Sequence, residues 1–285
     1  VSRILPYFLH PNGLNADGSS RPLALAHRGF SLEGLENSAA AFRAAVELGI
    51  THLETDARAS RDGTVFLFHD DTLDRVTDRR GRISELPAAE ISRARIGGLE
   101  PIPLLEDILH GFPDARLNID VKDSNTIAPL AAVIERCGAH DRVLITSFSD
   151  SRRRAVLNSL SRRPASSAGI ACTAAFALLG PLLPAGWLAR VMHDVDALQV
   201  PVRYGPLRLV TPGFLARARR HGLQVHVWTV NDPAEMHEMF ELGVDGIVTD
   251  RADLLRKVLE KRGQWWPSDA SDPRDDQERN PNEVS

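Results

Sequence analysis

The chain is short of sulfur, of lysine and of net charge, and each shortage removes a class of function. Two cysteines among 285 residues, Cys137 and Cys172, are too few for a disulfide framework and lack any zinc-binding spacing. Structural metal binding through sulfur is thereby excluded. No stretch approaches the roughly 20 apolar residues of a membrane-spanning helix. The first residues also lack the charged-then-apolar pattern of a secretory signal, so the expectation is a cytoplasmic protein without a transmembrane segment. The formal charge is only −4, and residues 267–285 hold six acids against Arg274 and Arg279, which leaves 32 acidic and 32 basic residues in the body. A neutral body offers no basic face for nucleic acid, so an anion bound here has to be held by a local site.

What is present is enough apolar material for a large core: 43% of the residues are hydrophobic, and α/β barrels of about 250 residues run as single domains. β-Branched or apolar runs recur at 23–27, 51–57, 115–121, 142–147, 168–172, 196–200, 223–229 and 244–248. Stretches with helical spacing separate most of them, which is the alternation of βα units around a parallel sheet. Helix punctuation agrees. Thr211-Pro212 reads as N-cap and first-turn proline, Asp232-Pro233-Ala-Glu235 has capping-box spacing, and Asn37 and Gly49 bracket another helix.

One run breaks the rhythm. TVFLFHD at 64–70 follows the second strand after only four residues, too few for a crossover helix. With Asp62-Gly63 at the turn it reads as a hairpin antiparallel to the second strand, bringing His69 opposite Thr55 or Asp56. The expected fold is therefore a TIM (β/α)8 barrel with an extra antiparallel hairpin arm at about 64–70. The expected organisation is a loosely ordered lead-in at 1–21, one barrel domain at 22–266 and an acidic disordered tail at 267–285. Within GQWWP, before that tail, the tryptophans read as a packing anchor for the last helix.

In such a barrel the active site lies at the C-terminal ends of the strands. There the sequence places His27 and Arg28, Glu54 and Asp56, Asp120 and Lys122, then Trp228 and Asn231, while His69 and Asp70 arrive from the arm. Glu54 and Asp56 are two apart on one strand and so share a face; Asp120 and Lys122 repeat that geometry on the next. Three carboxylates in one mouth repel each other unless a cation holds them, and an oxygen-only set suits a hard ion such as Mg²⁺ or Ca²⁺. A charge network balanced by Arg28 and Lys122 is the competing reading. Lys122 is one of three lysines in a chain with 31 arginines, which marks that position as one wanting a compact point charge. An imidazole ordinarily titrates near neutral pH, so His27 and His69 suit proton transfer at a bound phosphodiester. Trp228 suits an apolar wall for the substrate, and the Leu-, Ala- and Pro-rich connection 173–194 reads either as an apolar lip, which suits a substrate with a lipid chain, or as a packed helix, which suits small head-group diesters.

His27-Arg28-Gly29, Glu36-Asn37, Glu54-Thr-Asp56, His69-Asp70 followed by Leu73, Arg75 and Thr77, Trp228-Thr-Val-Asn231 and Asp245-Gly-Ile-Val-Thr-Asp250 together resemble the glycerophosphodiester phosphodiesterase family, over about 22–260. The resemblance implies a βα barrel that hydrolyses glycerophosphodiesters, small molecules, to sn-glycerol 3-phosphate and an alcohol with one divalent cation. It implies Glu54, Asp56 and Asp120 as metal ligands, Arg28 and Lys122 on the phosphate, and His27 and His69 as the acid–base pair. His27 is then the base toward water or the glycerol 2-hydroxyl and His69 the acid toward the leaving alcohol, although the reverse division fits the same positions. One departure is Asp120-Val-Lys122 where the family usually carries Glu-x-Lys. Because the related sphingomyelinase D-like phospholipases also use Asp there, a lysophospholipase D or sphingomyelinase D-like activity on the same barrel is the first alternative. A non-catalytic phosphodiester-binding barrel is the second, and it has no need of two histidines.

Overall fold

The computed structural model describes residues 5–9, 21–182 and 184–265. Eight parallel strands form the barrel: β1 Leu23–Ala26, β2 His52–Ala59, β3 Arg116–Val121, β4 Val143–Thr146, β5 Ala165–Ser166, β6 Ala197–Pro201, β7 Gln224–Trp228 and β8 Gly246–Thr249. They are hydrogen-bonded in the order β5-β4-β3-β2-β1-β8-β7-β6. The two ends meet where Ser167 bridges Ala197 in parallel, with Ala168 donating to the Ala197 carbonyl at 3.0 Å. The TIM barrel expected from the sequence is therefore the fold.

The arm is also present, shorter than its apolar run suggests. Val65–Leu67 pairs antiparallel with β2 through Ala57–Leu67, Arg58–Phe66 and Ala59–Val65, and Phe68 still donates to the Asp56 carbonyl at 2.8 Å. The chain then leaves the sheet and builds an insert over 68–104 with a satellite core of Phe66, Phe68, Leu73, Ile83, Ile91, Ala94, Ile96 and Ile102.

The fifth strand is a correction. The AGIAC run at 168–172 lies beyond it, and Ile170–Ala174 is helical. The Asp150 carboxylate accepts from the Gly169 and Cys172 amides at 2.9 and 3.0 Å, so an acid from the preceding βα unit satisfies the amides that start this helix. Asn37 is a second correction. Ser38 caps the helix Ala39–Glu47, accepting from the Ala41 amide, and Asn37 serves the site instead. Thr211 and Asp232 cap their helices as expected.

The lead-in is ordered where it is described. Pro6–Phe8 forms a 3₁₀ turn whose Tyr7 and Phe8 are buried against β1, β4, β5, β6 and β8 side chains. His52 at the start of β2 donates through Nε2 to the Tyr7 carbonyl at 2.9 Å. At the other end Trp265 packs on both large core clusters and takes the Arg256 guanidinium on its ring, as a helix anchor should. Trp266 and the acidic tail lie outside the described residues. Among the described residues no helix is long and apolar enough to cross a membrane.

Inside the barrel a polar row runs Asn118–Gln199–His226–Gln224. Asn118 donates to Gln199 Oε1 at 3.2 Å, Gln199 Nε2 donates to His226 Nδ1 at 3.2 Å, and His226 Nε2 donates to Gln224 Oε1 at 3.0 Å. Each ring nitrogen thus has the partner of a neutral imidazole, and burial depresses His226 from 6.5 to about 4. Between those values the unfolded chain binds a proton that the folded chain refuses, so this contribution to stability is complete above pH 6.5 and is lost as pH falls through about 4. The expected result is a fall in Tm from pH 7 to pH 5 that His226→Gln flattens; parallel curves for the two proteins would remove the assignment.

Candidate active site

Two parallel-strand registers assemble the acidic cluster. Glu54 lies beside Asn118 and Asp56 beside Asp120 across β2 and β3, so the period of two puts Glu54, Asp56 and Asp120 at neighbouring positions of one mouth. All three are buried. Lys122 reaches back from the end of β3 and donates to Asp56 Oδ1 and Asp120 Oδ2, both at 2.7 Å. Asn37, in the left-handed region at φ 59°, donates to Asp56 Oδ2 at 2.9 Å and accepts from the Thr55 hydroxyl at 2.7 Å.

The β1 exit explains the His-Arg-Gly order. Arg28 and Gly29 both have positive φ, 54° and 84°, so the chain folds sharply back as it leaves the barrel. A Cβ on Gly29 would stand 2.7 Å from the Ala41 carbonyl carbon, a clash with backbone that leaves glycine as the fitting residue. The turn aims the Arg28 amide at Glu54 Oε2, 3.1 Å away. Its guanidinium meets Glu36 Oε1 at 2.8 Å and Asp56 Oδ2 at 3.2 Å.

His27 donates through Nδ1 to Asp250 Oδ1 at 2.6 Å. Asp250 is fixed in turn by Asn231, which donates to its Oδ2 at 2.8 Å and accepts from its amide at 2.9 Å. The His27 amide donates to the Thr249 carbonyl, which is how the β1–β8 seam brings residues 223 apart together. With the proton on Nδ1, Nε2 is free for exchange and lies 3.9 Å from Glu54 Oε2. His69 repeats the arrangement on the insert, donating through Nδ1 to Asp70 Oδ1 at 2.6 Å; Arg58 holds its backbone carbonyl at 2.9 Å.

The charges distort one another. Burial, reinforced by the Asp56 carboxylate, pushes Glu54 up to about 7. Burial acts on Asp56 in the same direction, but Lys122 and Arg28 outweigh it and hold that group below the ordinary carboxylate value. Asp120 stays raised by burial despite Lys122. For His27, burial alone would depress the ring; Glu54 and the bond to Asp250 outweigh it and hold the imidazole above its ordinary value. The Arg75 guanidinium draws Asp70 down to about 2.

Among the described residues no three carboxylate or imidazole groups stand at the distances a bound ion sets, because Lys122 lies between Asp56 and Asp120. The donor chemistry nevertheless fits a hard cation. Three buried acids supply oxygen only, Asp120 Oδ1 is buried without a hydrogen-bond partner, and the burial and Asp56 charge that push Glu54 up are what a cation held there would offset.

Trp228 closes one side of the mouth, half-buried, with its ring edge-on to Phe148 at 6.1 Å between centroids; Lys122 Nζ stands 5.8 Å over the Phe148 ring. Phe148, just past β4, is a site residue that the sequence reading passed over. Connection 173–194 folds into the end of the helix Ile170–Ala174, a π turn and the helix Ala185–Val191, burying Phe176, Leu188 and Met192 in the core while leaving Leu178, Leu179, Leu182 and Trp187 exposed. Further exposed apolar groups follow the ends of β4, β5 and β6: Phe148, Ile170, Tyr204 and Leu207.

A model of the glycerophosphoryl diester phosphodiesterase family matches residues 27–254. A probable glycerophosphodiester phosphodiesterase from Mycobacterium tuberculosis is 45% identical over 85% of this chain and 92% of its own. A lysophospholipase D from Homo sapiens is 26% identical over 82% of this chain and 85% of its own. Among solved structures, the glycerophosphodiester phosphodiesterase from Agrobacterium tumefaciens superposes with a TM-score of 0.68 at 25% identity, covering 84% of this chain and 99% of that one.

Proposed function

The chain belongs to the glycerophosphoryl diester phosphodiesterase family and is a glycerophosphodiester phosphodiesterase; from that premise we propose that it cleaves glycerophosphodiesters to sn-glycerol 3-phosphate and an alcohol by histidine acid–base catalysis assisted by one divalent cation, Mg²⁺ or Ca²⁺. The observation that carries the reading is the pair of imidazoles, each fixed at Nδ1 by an aspartate at 2.6 Å, beside a buried acid cluster edged by Arg28 and Lys122.

Glu54, Asp56 and Asp120 are the residues to hold the cation, which when bound offsets charge on the phosphoryl oxygens. Arg28 and Lys122 orient the phosphate and neutralise charge that grows on it in the transition state. His27, held above its ordinary value, removes the proton from the nucleophile, water or the glycerol 2-hydroxyl, at Nε2. His69 delivers a proton to the departing alcohol oxygen. Trp228 and Phe148 present an apolar wall to the substrate's carbon skeleton.

Glycerophosphocholine is the substrate to try, with glycerol 3-phosphate release measured before and after EDTA and again with Mg²⁺ or Ca²⁺ restored. Loss on chelation and recovery with the ion are expected; unchanged turnover in EDTA would eliminate the cation from the mechanism. The exposed Phe148, Ile170, Tyr204 and Leu207 favour a second reading, in which a lysophospholipid is accepted with its acyl chain along that rim. Lysophosphatidylcholine assayed in parallel separates the two, since only the second reading has it turned over at a comparable rate.

A further inference from the structure

Glu36 and Arg75 are 39 residues apart, one before the first barrel helix and the other on the insert. Their side chains meet in a two-point ion pair. Arg75 Nη2 donates to Glu36 Oε1 at 2.6 Å and Nη1 to Oε2 at 3.1 Å. The same guanidinium grips Asp70, through Nε at 2.5 Å and Nη2 at 3.1 Å. Beyond Asp70 lies His69 Nδ1, and beyond Glu36 lies Arg28 Nη1. One unbroken chain of charge-assisted bonds thus runs His69–Asp70–Arg75–Glu36–Arg28, from the imidazole of the insert to the guanidinium of the barrel.

We propose that Glu36 and Arg75 are positioning residues for the phosphodiesterase reaction, holding the insert's His69 and the barrel's Arg28 in register across the seam between the two. The inference rests on the roles given above to His69 and Arg28. Two physical arguments support it. First, all four bonds of the Arg75 guanidinium go to two carboxylates that are themselves bonded to His69 and Arg28, so the network ends on the two site residues at either side. Second, the planar fork fixes direction as well as distance. His69 stands on an insert with its own small core, so its placement relative to Arg28 needs a link of defined geometry, and the fork supplies one. Glu36 takes part from the other side: burial would raise its carboxyl, yet Arg75 and Arg28 outweigh that and keep it ionised.

The test uses the full chain with Glu36→Gln, Arg75→Gln, Arg75→Lys and His69→Ala, alone and with Arg75→Gln added to His69→Ala. Misplacing a reacting group by about 1 Å costs up to roughly 10²-fold, so Glu36→Gln and Arg75→Gln should each lower kcat by about 10-fold or more. Arg75→Lys, which keeps charge but not the fork, should recover only part of that loss. Tm should stay within a few degrees of the parent. In the His69→Ala background Arg75→Gln should cost clearly less than in the parent, because one of the two groups it holds in register is gone. Wild-type kcat in both single variants, or losses that multiply in the double variant, would overturn the proposal. A normal rate in His69→Ala would instead remove the acid–base reading and the positioning role with it, whereas an impaired His69→Ala beside normal Glu36 and Arg75 variants removes the positioning role alone.

Discussion

His27→Ala and His69→Ala are each expected to lower turnover of glycerophosphocholine by on the order of 10²-fold or more, the range for losing a general acid or base, with little change in Tm. Both imidazoles lie at the mouth rather than in the core: the side chains of His27 and His69 are 22% and 36% exposed, so truncation leaves no buried cavity. What is lost is a ring whose free nitrogen is set by an aspartate on the other. A sharper form of the same prediction concerns Asp250→Asn, which keeps size while removing the charge opposite His27 Nδ1. That variant should retain Tm and lose most of the rate. Full activity in both histidine variants would end the acid–base assignment, while a loss confined to one would leave that histidine as the working group.

Glu54→Gln should separate function from stability. The substitution keeps the oxygen that accepts from the Arg28 amide and removes a charge that burial and Asp56 oppose. Activity is expected to fall on the order of 10²-fold, the scale of losing one preorganised electrostatic contact, because a cation ligand is weakened. Stability in EDTA should rise. Glu54 is raised from 4.5 to about 7, so between those values the folded chain keeps a proton that the unfolded chain has released. Its favourable contribution is complete below about pH 4.5 and is lost as pH rises through about 7. The gain in Tm from Glu54→Gln therefore belongs at pH 8, where a relief of about 1–3 kcal/mol corresponds to at least about 2 °C in a chain of this size, and should vanish near pH 5. Adding the divalent cation at pH 8 should stabilise the parent more than the variant. A Tm difference that ignores pH would show that Glu54 is not the strained group.

Much of this protein is legible without coordinates. Strand alternation, the four-residue link to the arm and the period-two spacing of Glu54–Asp56 and Asp120–Lys122 are local properties: they depend on which way successive side chains point and on how short a connection can be. They are sufficient to specify a barrel, its hairpin and the principal charged groups at its mouth. The fifth strand is not legible in this way, because AGIAC has strand-like composition and its helix is started by Asp150, an acid from another βα unit that nothing within the run announces.

Tertiary structure decided the partners. His27 and Asp250 are 223 residues apart and meet because β1 pairs with β8 when the barrel closes. Glu36 and Arg75 meet only after the insert has folded onto the barrel. Asn37 has the composition of a helix cap, yet Ser38 takes that role and Asn37 turns to Asp56. Phe148 stands between two serines at the exit of β4, and only the closing of the ring sets it against Trp228. The sequence by itself determined the strand-borne charged groups of the mouth, since periodicity acts over a few residues. Which proton each histidine holds, which carboxylate is forced toward neutrality and which arginine links insert to barrel depend on distances of about 3 Å between segments far apart in the chain, and those distances exist only in the closed barrel.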